Sequence, residues 1–226
     1  MCGLYSFRKS PEETRTLFHY LEEPDFPPRR YVAPGGPIAI VRADRGERHF
    51  ALVRWGLVPS WVKEIKSGKP LINARAESVI AKPSFRNAMK RRRCLIPADG
   101  FYEWTGDVPG KKQPWFIHRQ GDALFAFAGL WEYWMGADGS ELETAAIITG
   151  EPNQTIAKIH NRMPVVIEPH DYGRWLDVEN VEAIAASSLL KPAPEDYFIL
   201  EPTRIERTAP PPKPKAEKPA AQPKLI

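Results

Sequence analysis

Between residues 94 and 149 the chain reads as five strands in close succession. Cys94–Ala98, Gly100–Trp104, Gln113–Arg119, Leu124–Trp134 and Leu142–Thr149 are bounded by turns that contain Gly, Asp or Pro. Strands gathered in one block, with helices before and after, argue for an α+β fold and against a doubly wound βαβ arrangement. Strand-like stretches at Ile38–Arg42 and Phe50–Val58 precede the block, and a short one at Tyr197–Leu200 follows it. The first predicted helix runs from Pro11 to Leu21, with Ser10 as N-cap, Pro11 at the first helical position and Glu13 placed for a capping box. Further helices are expected at Pro83–Arg92, Asn153–His160, Pro169–Leu176 and Val181–Leu190. The expectation is a single domain with a barrel-like, mostly antiparallel β-sheet flanked by helices.

Of 226 residues, 42% are hydrophobic and 11% aromatic, enough to build a sizeable core. No Gly/Ser linker or internal repeat divides residues 1–208, which read as one domain. The remaining stretch, 209–226, holds six prolines and almost no large apolar side chain; it reads as a disordered, polyproline-leaning tail. The formal charge of +4 is less basic than it looks, because the tail's four lysines and one glutamate supply +3 of it. Any anion-binding surface must therefore come from local runs such as Arg29-Arg30, Lys90–Arg93 or Lys111-Lys112, and most runs of this kind are solvated faces. Only Cys2 and Cys94 are present, which is no disulfide framework and fits a reducing compartment. No stretch of 18 or more apolar residues occurs, so no membrane association and a cytoplasmic location are expected.

Four short segments are polar where a plain core would be apolar. Cys2 follows Met1 directly, so removal of Met1 would leave an α-amine and a thiol on one residue. Such an aminothiol condenses with an aldehyde, first to an imine and then to a thiazolidine. With ordinary pKa values of about 7.7–8.0 and about 8.5, useful fractions of neutral amine and thiolate exist near neutrality. In Asn73-Ala74-Arg75-Ala76-Glu77, an extended backbone would align Asn73, Arg75 and Glu77 on one face; an ion pair within the sheet is the simpler reading. Glu103 lies between Tyr102 and Trp104, and loss of solvation there would raise its pKa toward acid/base range; otherwise it is an exposed outer-face residue. His160, in Ile159-His160-Asn161-Arg162-Met163-Pro164, occupies a compact polar turn suited to proton exchange near pH 7, or is a lone structural histidine. Together they supply a nucleophile, an orienting amide, an acid/base carboxylate and a proton shuttle. No cofactor and no metal are expected: no Cys/His pair has zinc-ligand spacing, and no nucleotide-binding loop occurs.

Met1-Cys2-Gly3, the Arg54–Trp61 stretch RWGLVPSW, Asn73–Glu77, the Arg93–Trp104 stretch RCLIPADGFYEW, Ala128–Glu132 and Ile159–Pro164 occur in that order. In these motifs the chain resembles the SOS response-associated peptidase (SRAP) family of abasic-site processing proteins, over about residues 1–205. The resemblance implies a monomer that takes single-stranded DNA containing abasic sites and is associated with the nucleoid when bound. It implies covalent capture of the ring-opened sugar aldehyde by Cys2. Asn73 would hold the sugar or the reacting amine, Glu103 would act as acid/base, and His160 would assist proton transfer and β-elimination of the 3′ phosphate. Arg75 matches a phosphate-contacting position, Thr149 one beside the abasic sugar, and Pro34 and Trp61 positions that wedge or stack at the DNA junction, where stacking tolerates any base.

Leu4 stands where many members carry Arg. The usual Asn of the Arg-Tyr-Asn-Val-Ala-Pro stretch is missing from Arg29-Arg30-Tyr31-Val32-Ala33-Pro34, and Pro202–Ile205 continues into proline. Two other classes compete. One is an amino-terminal-nucleophile amidotransferase or cysteine peptidase, the latter with its own Met1–Cys2 bond as substrate. The other is a non-catalytic single-strand-binding module built on Trp61 and the basic runs.

Overall fold

The structure, a computed structural model, describes residues 2–65, 70–106, 108 and 112–205. The expected tail, the boundary at 208 and Lys111 lie outside the described residues. In chain order the elements are β1 (Tyr5–Phe7), α1 (Pro11–Phe18), β2 (Arg29–Val32), β3 (Pro37–Asp44), β4 (Glu47–Trp55), β5 (Asn73–Arg75), α2 (Pro83–Arg91), β6 (Arg93–Ala98), β7 (Gly100–Thr105), β8 (Gln113–His118), β9 (Phe125–Met135), β10 (Glu141–Gly150), α3 (Gln154–Ala157), β11 (Met163–Pro164), β12 (Val166–Ile167), α4 (Tyr172–Leu176), α5 (Ala183–Ser187) and β13 (Ile199–Pro202).

The fold is α+β, as the strand block implies. One sheet is fully antiparallel in the order β13-β8-β7-β1-β2. In the other, β3, β4, β10, β9 and β6 pair in a closed ring. Four of those ladders are antiparallel; the fifth, β4 with β10, is parallel and closes the barrel. β5 lies along β10 in parallel, in the register Asn73↔Ile147 and Thr149↔Arg75.

Alternation along β6, β9 and β10 feeds two cores at once. Cys94, Ile96, Phe125, Phe127, Ala145 and Ile147 pack with Tyr5, Phe101 and Ile117 of the five-stranded sheet. Leu95, Ala126, Ala128, Ala146 and Ile148 pack with Phe85 and Met89 of α2 and with Tyr172 and Trp175 of α4. The barrel tolerates no side chain at residue 129: a Cβ there would stand 2.8 Å from both Cys94 Sγ and Ile96 Cδ1.

Two buried polar groups lock the frame. Arg93 is 1% exposed and donates to the carbonyls of Met89, Trp175, Asp177 and Val181 at 2.6–3.0 Å. A single guanidinium thus satisfies acceptors that the ends of α2 and α4 leave over. Asp99, at the corner between β6 and β7, accepts from the Ser6 hydroxyl and from Arg8 through both its backbone N–H (2.8 Å) and Nε (3.1 Å). That corner holds β1 against β7.

The capping box of α1 is present: Glu13 N donates to Ser10 Oγ at 3.2 Å, and Ser10 N to Glu13 Oε2 at 3.0 Å. The helix stops at Phe18, short of Leu21, because His19 turns left-handed (φ 54°). Asn153–His160 shrinks to α3, since the amides of Ile159 and His160 both converge on the Ile156 carbonyl. No helix of the described residues is long and apolar enough to cross a membrane.

Candidate active site

Three separate parts of the chain meet around Cys2. β1 pairs with β7 in the register Tyr5↔Phe101, and the Leu4 carbonyl accepts from Tyr102 N at 2.9 Å. Continuing that register brings Gly3 opposite Glu103. Asn73, at the start of β5, donates from Nδ2 to the Cys2 carbonyl at 2.9 Å. His160, in the turn after α3, places Nε2 at 3.9 Å from Glu103 Oε2. Asn73, Glu103 and His160 are thereby gathered at the amino end of the chain. Thr149 sits on β10 directly beside Arg75, so these two also adjoin Asn73. Two buried atoms here, Asn73 Oδ1 and Thr149 Oγ1, have no hydrogen-bond partner among the described residues. Buried polar atoms are ordinarily satisfied, so these are open acceptors for a ligand.

Burial sets the electrostatics. Glu103 is 3% exposed, and desolvation pushes its carboxyl above the usual glutamate range, with nearby positive charge, His160 included, acting against it. The flanking aromatics are not the cause that the sequence suggested. Successive residues of a strand project to opposite faces, and Tyr102 turns away to pack on Tyr31 and Phe116. The backbone N–H of Arg162 donates to His160 Nδ1 at 3.0 Å. The Arg162 carbonyl lies 3.2 Å from the same Nδ1, so both main-chain groups of Arg162 flank that side of the ring while Nε2 faces Glu103. Cys2 is 1% exposed; burial first, and the Glu103 charge second, push its thiol far above the ordinary value. The thiolate fraction expected from an unperturbed cysteine is therefore not available in this state.

Glu77 does not share a face with Asn73 and Arg75. β5 ends at Arg75, and Glu77 lies in the following turn, where Arg162 grips it with Nη1 at 2.6 Å and Nη2 at 3.0 Å. The same Nη2 donates to the Thr149 carbonyl at 2.5 Å. Arg162 thus orients His160 through its backbone and ties β10 to the Glu77 turn through its side chain. Its position two residues after His160 was the only signal of that role. Arg75 is exposed. Pro34 is half-buried in the turn leading into β3, and Trp61, 61% exposed, stands in the segment after β4.

A family model for SOS response associated peptidase (SRAP) matches residues 1–206. The chain belongs to the SRAP family. Among SRAP relatives, it is 39% identical over 199 residues to abasic site processing protein YoqW of Bacillus subtilis (strain 168), covering 87% of this chain and 89% of that one. It is 33% identical over 193 residues to abasic site processing protein HMCES of Gallus gallus, covering 72% of this chain and 57% of that one. Crystal structures of a Bacteroides thetaiotaomicron protein (TM-score 0.80, 24% identity, 90% of this chain and 92% of that one) and a Bordetella bronchiseptica protein (TM-score 0.78, 28% identity, 90% and 100%) have the same fold.

Proposed function

We propose that this SRAP chain processes abasic sites in single-stranded DNA by trapping them covalently on Cys2. The observation that carries the proposal is the anchoring of the Cys2 main chain by Asn73 beside buried Glu103, with half-buried His160 at 3.9 Å from it. Family membership and the names of the relatives support it.

Hydrolysis of the Met1–Cys2 bond consumes one water and frees the α-amine; the peptidase of the family name supports the reading that the chain does this itself. The amine adds to the C1′ aldehyde of the opened sugar, and loss of water gives an imine. Sγ then adds to the imine carbon while nitrogen gains a proton, closing the thiazolidine. Because the thiol is neutral, this addition needs a base, and Glu103 is the neighbouring carboxylate. Its raised pKa lets it donate a proton to the departing water and take one from the thiol. In the competing branch, the imine acidifies C2′–H, a base removes that proton, and the 3′ phosphate departs with the strand cut. His160 Nε2 relays protons in this branch. Asn73 and Thr149 hold the sugar, Arg75 a phosphate, and Pro34 and Trp61 the neighbouring bases.

The test is intact mass after incubating protein lacking Met1 with an abasic oligonucleotide. The expected product has the summed mass less one water and survives boiling in detergent. Glu103→Gln slows its formation, and His160→Ala slows strand cleavage more than capture. If Cys2→Ala crosslinks as durably as the natural protein, the proposal fails.

A further inference from the structure

Beside β2, the edge strand of the five-stranded sheet, lies a cavity of about 330 Å³ that takes no part in the chemistry at Cys2. Strand register creates it. Tyr5 stands opposite Val32 and Phe7 opposite Arg29, and cross-strand partners share a face. All four residues line the cavity, together with Ile38 of β3 and Leu52 of β4. Phe7 stacks on Phe26 with ring centroids 5.0 Å apart, so one wall is aromatic. Tyr5, Phe7, Val32 and Ile38 are at most 4% exposed and form the floor, whereas Leu52 is 53% exposed and marks the mouth.

Two polar side chains interrupt these apolar walls, and each has hydrogen-bonding capacity to spare. The Tyr5 hydroxyl is buried and has no hydrogen-bond partner among the described residues, although buried polar atoms are ordinarily satisfied. Arg29, half-buried, reaches from β2 to donate through Nη1 to the Pro37 carbonyl at 2.7 Å. Among the described residues no carboxylate pairs with it. A guanidinium carries five N–H donors in a planar fork, so one bond to a carbonyl leaves donors for an anion. The two groups act on one another. Burial raises the pKa of the Tyr5 hydroxyl, and the Arg29 charge is the first influence that opposes the rise.

We propose that this cavity binds a free, unbranched carboxylic acid of about eight carbons. Its carboxylate lies between Arg29 and the Tyr5 hydroxyl, and its chain runs along Phe7, Ile38 and Leu52. The volume gives room for about eleven atoms of water size, which such an acid nearly fills. Acetate would leave the aromatic wall uncovered, and a hydrocarbon would leave Arg29 without an anion. Tyr5 and Arg29 are the only polar side chains among the described residues that line the cavity, too few partners for the hydroxyls of a sugar or nucleotide.

The test is calorimetric titration of the full chain, without DNA, with butanoate, hexanoate, octanoate, decanoate and octanol. One equivalent should bind. Affinity should rise about fourfold for each added CH₂ up to octanoate and level off at decanoate, when the cavity is full. Octanol should bind at least about tenfold more weakly than octanoate. Arg29→Gln should erase that difference and leave octanol binding within about twofold. Tyr5→Phe should weaken octanoate about tenfold without lowering the thermal midpoint, since it removes an unpaired buried hydroxyl. Ala39→Leu adds bulk to a residue of the cavity wall and should abolish octanoate binding. Arg29→Gln, at a half-buried position, keeps the test decisive should Ala39→Leu not fold. Octanol binding as tightly as octanoate, affinity still climbing by the same step at decanoate, several equivalents bound, or octanoate binding unchanged in Arg29→Gln would overturn the proposal.

Discussion

The carboxamide of Asn73 donates to the backbone carbonyl of Cys2 at 2.9 Å, joining positions 71 residues apart. A side chain that binds main chain positions the residue's amine and thiol together. Asn73→Ala should cost about 1 kcal/mol of stability, a drop of roughly 2–4 °C in thermal midpoint for a chain of this size. The crosslinking rate should fall far more, on the order of 10–100-fold, because small displacements of reacting groups are expensive. Asn73→Asp should not rescue it, since a carboxylate cannot donate to a carbonyl. Melting curves beside crosslinking rates check both; parallel losses of stability and rate in proportion would contradict a positioning role.

The raised pKa of Glu103 predicts a pH signature. The folded protein binds this proton more tightly than the unfolded chain, so the group's contribution is fully present below the ordinary glutamate value of about 4.3. It is lost as pH rises through the raised folded value. Glu103→Gln should therefore melt above the natural protein at neutral pH, and the gap should close toward pH 4. A gap that is constant across this range would refute the assignment of burial as the cause.

Arg93 makes a structural prediction of larger size. Arg93→Ala removes the donor to four carbonyls at once and should cost about 3–5 kcal/mol. Arg93→Lys should recover only part of this, because a compact ammonium lacks the planar fork. Denaturant midpoints of the two variants decide the matter; near-identical midpoints for Lys and Arg would count against it.

Inside the barrel, Gly129→Ala should destabilise by about 1–3 kcal/mol through overpacking against Cys94 and Ile96. Adding Cys94→Ala should restore part of the loss, a coupling that a double-mutant cycle reads directly. Cys94→Ala alone should leave crosslinking intact.

The long strands were legible in the sequence. Leu124–Trp134 and Leu142–Thr149 lie within one residue of β9 and β10, because apolar runs bounded by Gly- and Asp-bearing turns have few alternatives. Barrel closure was not legible, since the parallel match of Thr144–Ala145 with Arg54–Trp55 leaves no local mark. Tyr5–Phe7 and Met163–Pro164 are strands only because a neighbouring strand pairs with them. The nearness of Asn73, Glu103 and His160 to Cys2 has no local mark in the sequence, and the clamp of Arg162 on Glu77 and Thr149 likewise depends on a fold-level approach of two turns to the end of β10.

β1 is an interior strand of its sheet, and β13 lies at the opposite edge. On the proposed chemistry, an affinity tag fused ahead of Cys2 would occupy the amine that the reaction needs, beside Asn73, Glu103 and His160. Recombinant work on this protein is therefore best served by a label at the carboxyl end.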